Sequence, residues 1–168
     1  TDGDVITGAG FTFEALHTPG HISNHLCFAL LEEATLFTGD HVMGWSTSVV
    51  PAPDGDMNDY LANLRRLLGR SETTYRPTHG PAITDPVPYV AALIEHREMR
   101  ERQILDALAD GPREITSMVA EMYADVDEKL HLAAGASVYA HLLALSRSGR
   151  AESLAGDASD WKSDWRLV

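Results

Sequence analysis

The sequence predicts a mixed α/β (α+β) fold in two units, residues 1–95 and 96–168. Three observations predict it. Short apolar runs bounded by glycine and proline fill the first unit, helical periodicity dominates the second, and a helix rich in charge crosses the boundary. The chain has 168 residues, of which 44% are hydrophobic and 23% charged. This composition is typical of one medium globular domain or two small ones.

The first unit is rich in predicted strands. Residues 11–16 alternate apolar and polar side chains, the pattern of a half-buried strand. Residues 25–31 are almost continuously apolar, which favours a strand covered on both faces. After a polar turn at 32–34, residues 35–38 predict the returning strand of a hairpin, and residues 73–76 predict another short strand.

Two helices are predicted between and after these strands. Residues 44–58 form a polar loop with glycine and proline, and a helix over 59–68 follows and ends at Gly69. Its apolar face consists of Tyr60, Leu61, Leu64, Leu67 and Leu68. Asp85 and Pro86 then open a long helix that reaches Leu108. Its charged middle, residues 95–102, is predicted to be a solvated face with pairs such as Glu98 and Arg102.

The second unit contains two more predicted helices and a hairpin. Thr116 is predicted to cap a helix over 117–123, and Asp127 to cap one over 128–146. The apolar face of the longer helix is formed by Leu130, Val138, Leu142 and Leu145. Strands are predicted at 150–154 and 161–168, joined by a loop over 156–160. Three helices followed by a hairpin predict a winged-helix unit.

Charge and cysteine content narrow the function classes. The formal net charge of −12 argues against general binding to phosphate backbones. The single Cys27 lies in an apolar run and has no internal partner, so we expect a buried structural thiol in a reducing, cytoplasmic setting. No apolar run approaches the ~20 residues of a membrane helix, so we expect no membrane association.

Three short segments place His or Asp beside glycine or proline at the end of an apolar run. They read HTPGH at 17–21, TGDH at 38–41 and PTHGP at 77–81. Imidazole nitrogens and carboxylate oxygens suit a borderline ion such as zinc, although these residue types do not separate zinc from iron or manganese. The candidate metal ligands are His21, Asp40 and His79, which only the fold can bring together.

At these residues the sequence resembles the metallo-β-lactamase superfamily. The matching strings are HTPGH, LFTGD and PTHGP, in that order, and the strings PDGDMNDYLANLRRLL and HREMRERQIL resemble its lactamase-beta-2-like branch. In that branch a winged helix follows the hydrolase domain. The resemblance therefore implies the C-terminal part of an αβ/βα sandwich over residues 1–95, followed by a winged-helix domain over residues 96–168.

The resemblance also implies a site with two zinc ions. His21 matches the histidine that completes the first metal's ligands, Asp40 the carboxylate that bridges both metals, and His79 the last ligand of the second. In such sites a metal-bound water, oriented here by Asp40, becomes a hydroxide nucleophile. It attacks a small-molecule ester, thioester, lactone, amide or phosphodiester, so the implied function is that of a metal-dependent hydrolase.

One expected motif does not occur in the sequence. The family's H-x-H-x-D-H string is absent, so only three of the family's seven ligands are present. We therefore expect the chain to be the C-terminal portion of a larger protein, to bind metal weakly and to be inactive by itself. An exposed strand edge would then favour association between copies, giving a homo-oligomer.

Other polar residues have less specific expectations. The histidines beside the motifs, His17, His25 and His41, are expected to contact the ligand residues or to pack. His96, in the charged helix, is expected to be solvated or to make an interdomain contact, and His131 and His141 to be ordinary helix residues. Trp45 either lines a pocket or packs. A substrate contact by Ser46, Thr47 or Ser48 is open, because loop polarity alone also explains them.

A winged helix also allows a second function, in which the chain is a nucleic-acid-binding or regulatory protein with an inert hydrolase remnant. The predicted helix over 128–146 carries Lys129 as its only Lys or Arg, so packing or dimerisation is favoured over DNA reading. An RNA substrate stays open through Arg147, Arg150 and Lys162.

Overall fold

The computed structural model describes residues 1–155, 158 and 160–168, so the loop predicted over 156–160 lies partly outside the described residues. The described chain forms two compact units, Thr1–Glu95 and His96–Val168. Each unit has its own sheet, and the mixed α/β fold class is confirmed.

The first unit is built on a five-stranded sheet in the order β1-β2-β3-β4-β5. The strands are β1 Val5–Gly8, β2 Phe11–His17, β3 Leu26–Leu30, β4 Thr35–Gly39 and β5 Thr74–Pro77. Neighbours from β1 to β4 are antiparallel, whereas β5 runs parallel to β4. The four predicted strands are confirmed. Strand β1 was not predicted, because all four of its residues are exposed and show no alternation.

Helix α1 spans Met57–Leu67 and connects β4 to β5. It begins two residues before the predicted start, because the Asp56 carboxylate accepts hydrogen bonds from the backbone N–H groups of Asn58 and Asp59 at 2.8 and 3.1 Å. Four predicted members of its apolar face are buried: Tyr60, Leu61, Leu64 and Leu67. The fifth prediction is wrong, since Leu68 is the C-cap and is 36% exposed.

The two faces of this sheet differ in exposure. On one face Leu16, Cys27, Ala29 and Leu36 are fully buried, together with Tyr75, whose hydroxyl donates to the carbonyl of Leu67 on α1 at 3.3 Å. The other, which we call the open face, carries exposed or half-exposed apolar side chains: Ile6, Phe11, Phe13, Phe28 and Phe37. Strand β3 was predicted to be covered on both faces. This is wrong, because only its alternate residues are buried.

Helix α2 spans Pro86–Ala109 and crosses the boundary between the units. Its charged middle was predicted to be solvated, which is wrong for Arg97, a residue only 3% exposed. Arg97 donates to the Ser137 hydroxyl at 3.0 Å, and the Arg100 guanidinium lies 4.3 Å from the ring centroid of Tyr123. Both aliphatic stems therefore pack within the second unit.

The second unit is a winged helix, as predicted. It contains α3 Ile115–Met122, α4 His131–Arg147 and a sheet in the order β6-β8-β7, formed by β6 Arg113–Glu114, β7 Ala151–Ser153 and β8 Asp164–Leu167. Its core includes the buried residues Ile104, Leu108, Ile115, Met118, Val119, Val138, Leu142, Leu145 and Trp165. His141 was expected to be an ordinary helix residue, yet it is 1% exposed.

Two predicted caps in this unit need correction. Thr116 does not cap α3, because that helix begins at Ile115, two residues before the predicted start, and its N-cap is Glu114. Asp127 does accept a hydrogen bond from the Lys129 N–H at 3.0 Å, but it caps a separate 3-10 turn before α4. Leu130, in that turn, is 55% exposed and does not belong to the buried face.

Among the helices within the described residues, none combines the length and the apolar character needed to cross a membrane.

Candidate metal centre

The three candidate ligands follow strands that point in the same direction. His21 comes after β2, Asp40 directly after β4 and His79 after β5. Strands β2 and β4 are both antiparallel to β3, and β5 is parallel to β4. The carboxyl ends of these three strands therefore lie at one edge of the sheet, which is where loop residues can converge on a ligand.

The Asp40 carboxylate lies between the two histidines. Its Oδ1 is 3.5 Å from His79 Nε2, and its Oδ2 is 3.9 Å from His21 Nε2. Oδ1 is buried and has no hydrogen-bond partner within the described part of the chain. A buried carboxylate oxygen without a partner is costly, so this atom is suited to a cation.

A hydrogen bond on the opposite side of His21 fixes its tautomer. Nδ1 lies 2.6 Å from the carbonyl oxygen of Val49, and a carbonyl can only accept, so Nδ1 carries the proton. In the neutral ring Nε2 then presents a lone pair toward Asp40. Histidines that ligate metals commonly donate their other N–H to a backbone carbonyl in this way. The role of Val49 was not predicted, because every residue has a backbone carbonyl and the sequence does not show which of them accepts this hydrogen bond.

These donors fit zinc in kind and direction, but they do not enclose an ion. Among the described residues, no group of three or more His, Cys, Asp or Glu side chains could hold a metal ion. The His79 side chain is 54% exposed, so this side of the centre is open to solvent.

Glycines beside the histidines allow the loops to come close together. Gly20 has φ +143°, and a Cβ there would lie 2.4 Å from the Tyr60 Cα. Gly80 has φ +92°, and a Cβ there would lie 2.8 Å from the backbone of Gly44. The missing side chain at Gly80 therefore allows two loops to approach each other, and a 2.8 Å hydrogen bond from the Gly44 N–H to the His79 carbonyl joins them.

The neighbouring histidines have three different environments. His25 Nε2 accepts a hydrogen bond from the Asp40 backbone N–H at 3.2 Å, so it contacts a candidate ligand as expected. His41 is fully buried against the rings of His25 and Tyr60, and burial lowers its pKa to about 3. His17 is exposed, and its Nε2 lies 2.9 Å from the carbonyl oxygen of Ser23.

The loop after Asp40 contains one exposed aromatic side chain and one buried hydroxyl. Trp45 is 73% exposed, so it does not simply pack in the core. Ser48 is 1% exposed and donates to the carbonyl of His41 at 3.0 Å, which makes it a support of the loop. Ser46 donates to the neighbouring Thr47 carbonyl at 3.5 Å.

Two protein-family profiles match the chain. The profile described as the metallo-beta-lactamase superfamily matches residues 1–79, and the beta-lactamase associated winged helix domain matches residues 115–161. The first match includes all three candidate ligands. The second falls within the unit that has the winged-helix architecture.

Curated relatives match over most of the chain. A beta-lactamase-like protein 2 homolog from Caenorhabditis elegans is 35% identical over 162 residues, which are 95% of this chain and 53% of the relative. An atrochrysone carboxyl ACP thioesterase from Claviceps purpurea is 37% identical over 107 residues, 64% of this chain and 33% of the relative. The chain thus spans about half the length, or less, of these relatives.

Solved structures share the fold along the whole chain. A metallo-beta-lactamase family protein from Thermus thermophilus aligns with a TM-score of 0.81 at 24% identity, covering 100% of this chain and 53% of the other. A beta-lactamase domain protein from Burkholderia ambifaria aligns with a TM-score of 0.85 at 21% identity, covering 100% and 51%.

Proposed function

Because the chain belongs to the metallo-β-lactamase superfamily, we propose that it supplies part of the active site of a metal-dependent hydrolase. Its relatives, several of them named thioesterases, support a hydrolase-type function in general. One observation carries the proposal for this chain. The Asp40 carboxylate lies between His21 Nε2 and His79 Nε2, with a buried oxygen that lacks a hydrogen-bond partner among the described residues.

Each residue has a separate role in this proposal. His21, with its proton on Nδ1, and His79 would each offer Nε2 to zinc, and Asp40 would offer its carboxylate oxygens. Zinc held there would supply Lewis acidity toward a carbonyl or phosphoryl oxygen. The chain itself orients these donors through the Val49 carbonyl and the loop bond between Gly44 and His79.

The proposed substrate is a small-molecule ester, with a thioester favoured. The thioesterase names belong to the relatives and support this choice here. Trp45 follows Gly44, which is bonded to the His79 backbone, so its exposed ring lies on a loop tied to the centre. We infer that this ring contacts the apolar part of an acyl group.

Three ligands do not make a complete dinuclear site. The H-x-H-x-D-H string is absent from the sequence, and ligand number decides metal affinity. We propose that activity requires those additional ligands in the intact protein. The isolated 168-residue chain should therefore bind zinc weakly and should not hydrolyse a thioester. Its single buried Cys27 fits a reducing compartment, and we propose the cytoplasm.

The experiment compares two proteins: this chain alone, and a protein that carries it together with an H-x-H-x-D-H motif. We expect zinc-dependent cleavage of a model acyl thioester only by the longer protein. We also expect the variants His79→Ala and Asp40→Asn to lose both bound zinc and activity. His17→Gln, which changes an exposed histidine of the HTPGH segment, is the matched control. Zinc-dependent hydrolysis by the chain alone, or full activity of Asp40→Asn, would contradict the proposal.

The nucleic-acid-binding alternative has less support. Helix α4 contains Arg147 as its only Lys or Arg. Eight residues of the helix are buried. A basic exposed helix would be needed for groove binding. A gel shift at two salt concentrations tests it, because tight and salt-sensitive binding in the absence of metal would favour this alternative.

A further inference from the structure

A closed ring of hydrogen bonds lies directly beside Asp40. Cys27 Sγ lies 3.5 Å from the carbonyl oxygen of Thr38, and Thr18 Oγ1 lies 3.3 Å from Cys27 Sγ. Thr18 Oγ1 also lies 2.8 Å from His25 Nδ1, while His25 Nε2 accepts from the Asp40 backbone N–H at 3.2 Å. The backbone from Thr38 to Asp40 closes the ring.

The direction of every hydrogen bond in this ring is determined. The Asp40 N–H can only donate, so His25 Nε2 must accept and the proton of the neutral ring must lie on Nδ1. Nδ1–H then donates to Thr18 Oγ1. The threonine hydroxyl is left to donate to Cys27 Sγ, and the Cys27 thiol donates to the Thr38 carbonyl. Each donor hydrogen and each acceptor atom therefore takes part in only one hydrogen bond of the ring.

The ring is buried and leaves little space for other arrangements. Thr18, Cys27 and Thr38 are 0% exposed and His25 is 8% exposed. Gly39, inside the closing backbone segment, has φ +53°, and a Cβ on it would be 2.6 Å from His25 Nε2. Water therefore has little access to these bonds, which strengthens them and makes each member costly to remove.

We propose that His25, held as its Nδ1–H tautomer by Thr18 and Cys27, is a positioning residue that places the Asp40 carboxylate between His21 and His79. This rests on the proposed function, since it takes Asp40 to be a metal ligand. His25 itself contributes no donor to the metal. It acts through the backbone N–H of Asp40, and the ring determines which of its nitrogens faces that N–H.

Two substitutions test the two hydrogen bonds of His25 separately. The terminal carbonyl of a glutamine reaches the place of Nε2 and can accept from the Asp40 N–H. The amide nitrogen of an asparagine takes the place of Nδ1 and can donate to Thr18, but it leaves nothing at the place of Nε2. His25→Gln should therefore preserve the position of Asp40, and His25→Asn should not, although both variants disturb the same buried site.

NMR of the chain tests the positioning directly. In the wild type we expect the His25 imidazole to carry its proton on Nδ1, and the Asp40 amide proton to be protected from exchange. Protection of that amide should persist in His25→Gln and be lost in His25→Asn. A proton on Nε2 in the wild type, or equal Asp40 exchange in the two variants, would overturn the proposal. The tautomer measurement needs no variant, so a failure of a variant to fold does not remove the test.

A Co²⁺ titration followed by visible absorbance separates this inference from the proposed function. We expect His25→Asn to weaken Co²⁺ binding about tenfold relative to wild type, His25→Gln to bind within about threefold, and the control His17→Gln to be unchanged. The wild-type chain failing to bind Co²⁺ at any concentration, with the expected NMR result, would refute the metal site. If Co²⁺ binds but protection of the Asp40 amide does not differ between His25→Gln and His25→Asn, only the role of His25 is refuted.

Discussion

Nε2 of His25 occupies the space that a side chain on Gly39 would need, because a Cβ at that position would lie only 2.6 Å from the nitrogen. The glycine also has φ +53°, in the left-handed region. The strand β4 can therefore end in a tight turn that presents Asp40 at the sheet edge only if residue 39 has no side chain. Backbone conformation and the neighbouring imidazole impose the same requirement.

Replacing Gly39 should destabilise the fold, because its backbone is left-handed and because an added Cβ would clash with His25. We expect Gly39→Ala to lower the free energy of unfolding by more than the roughly 1–2 kcal/mol of a left-handed residue, since the histidine must also move. Denaturant unfolding measures this. Gly10→Ala is the matched control, because Gly10 has φ +86° and nothing within 4 Å of its added Cβ. Equal losses in the two variants would show that the contact with His25 is unimportant.

Zinc should stabilise the folded chain through Asp40. A ligand that binds only the native state adds about 1.4 kcal/mol when its free concentration is tenfold above Kd. We expect a concentration-dependent rise in Tm for the wild type and none for Asp40→Asn, because Asp40 faces both histidines. His131→Gln, a histidine outside the centre, should behave like the wild type. A zinc shift that survives in Asp40→Asn would place the ion elsewhere.

The buried His141 should make stability depend on pH. Burial lowers its pKa to about 3, and the nearby Arg97, His96 and Arg100 contribute to this lowering. Neither ring nitrogen has a hydrogen-bond partner among the described residues. The unfolded chain, with a histidine pKa of about 6.5, binds the proton first as the pH falls. The stability that depends on neutral His141 is therefore fully present above about pH 6.5 and is lost as the pH falls toward 3.

This loss can be measured against a variant that cannot titrate. We expect His141→Phe to remove about 1.4 kcal/mol of destabilisation per pH unit below 6.5, as read from urea unfolding at several pH values. The other histidines are the same in both proteins and cancel in the comparison. Identical pH slopes for wild type and variant would mean that folding does not lower the pKa of His141.

The open face of the first sheet should promote association between copies. Phe37 is 38% exposed and Phe11 40%, and ring contacts of 5.6 and 5.9 Å link both to Phe13. Contiguous apolar surface of this kind favours self-association. We expect the mass measured by light scattering to rise with concentration, and Phe37→Lys to reduce this rise. Leu132→Lys, at an exposed leucine of the second unit, is the control, and a concentration-independent monomer mass would contradict the prediction.

Periodicity in the sequence was sufficient for the elements with a clear buried side. Strand β2 and helix α1 follow from alternation or from helical spacing, because one side of each is buried and the other is not. Strand β1 was missed, since its four residues are all exposed. Arg97 was predicted to be solvated, and this was wrong. The sequence shows that the residue is charged, but it does not show that the aliphatic part of its side chain packs against another helix.

For the candidate site, the sequence by itself determined the residue types and the motifs in which His21, Asp40 and His79 occur. Only the tertiary structure decided that Asp40 lies between the two histidines, because that requires three strands to end at one edge of a sheet. The bonds that orient them are equally tertiary. The Val49 carbonyl and the Asp40 N–H are backbone groups present at nearly every residue, so their use as partners of His21 and His25 depends on where the folded chain brings them.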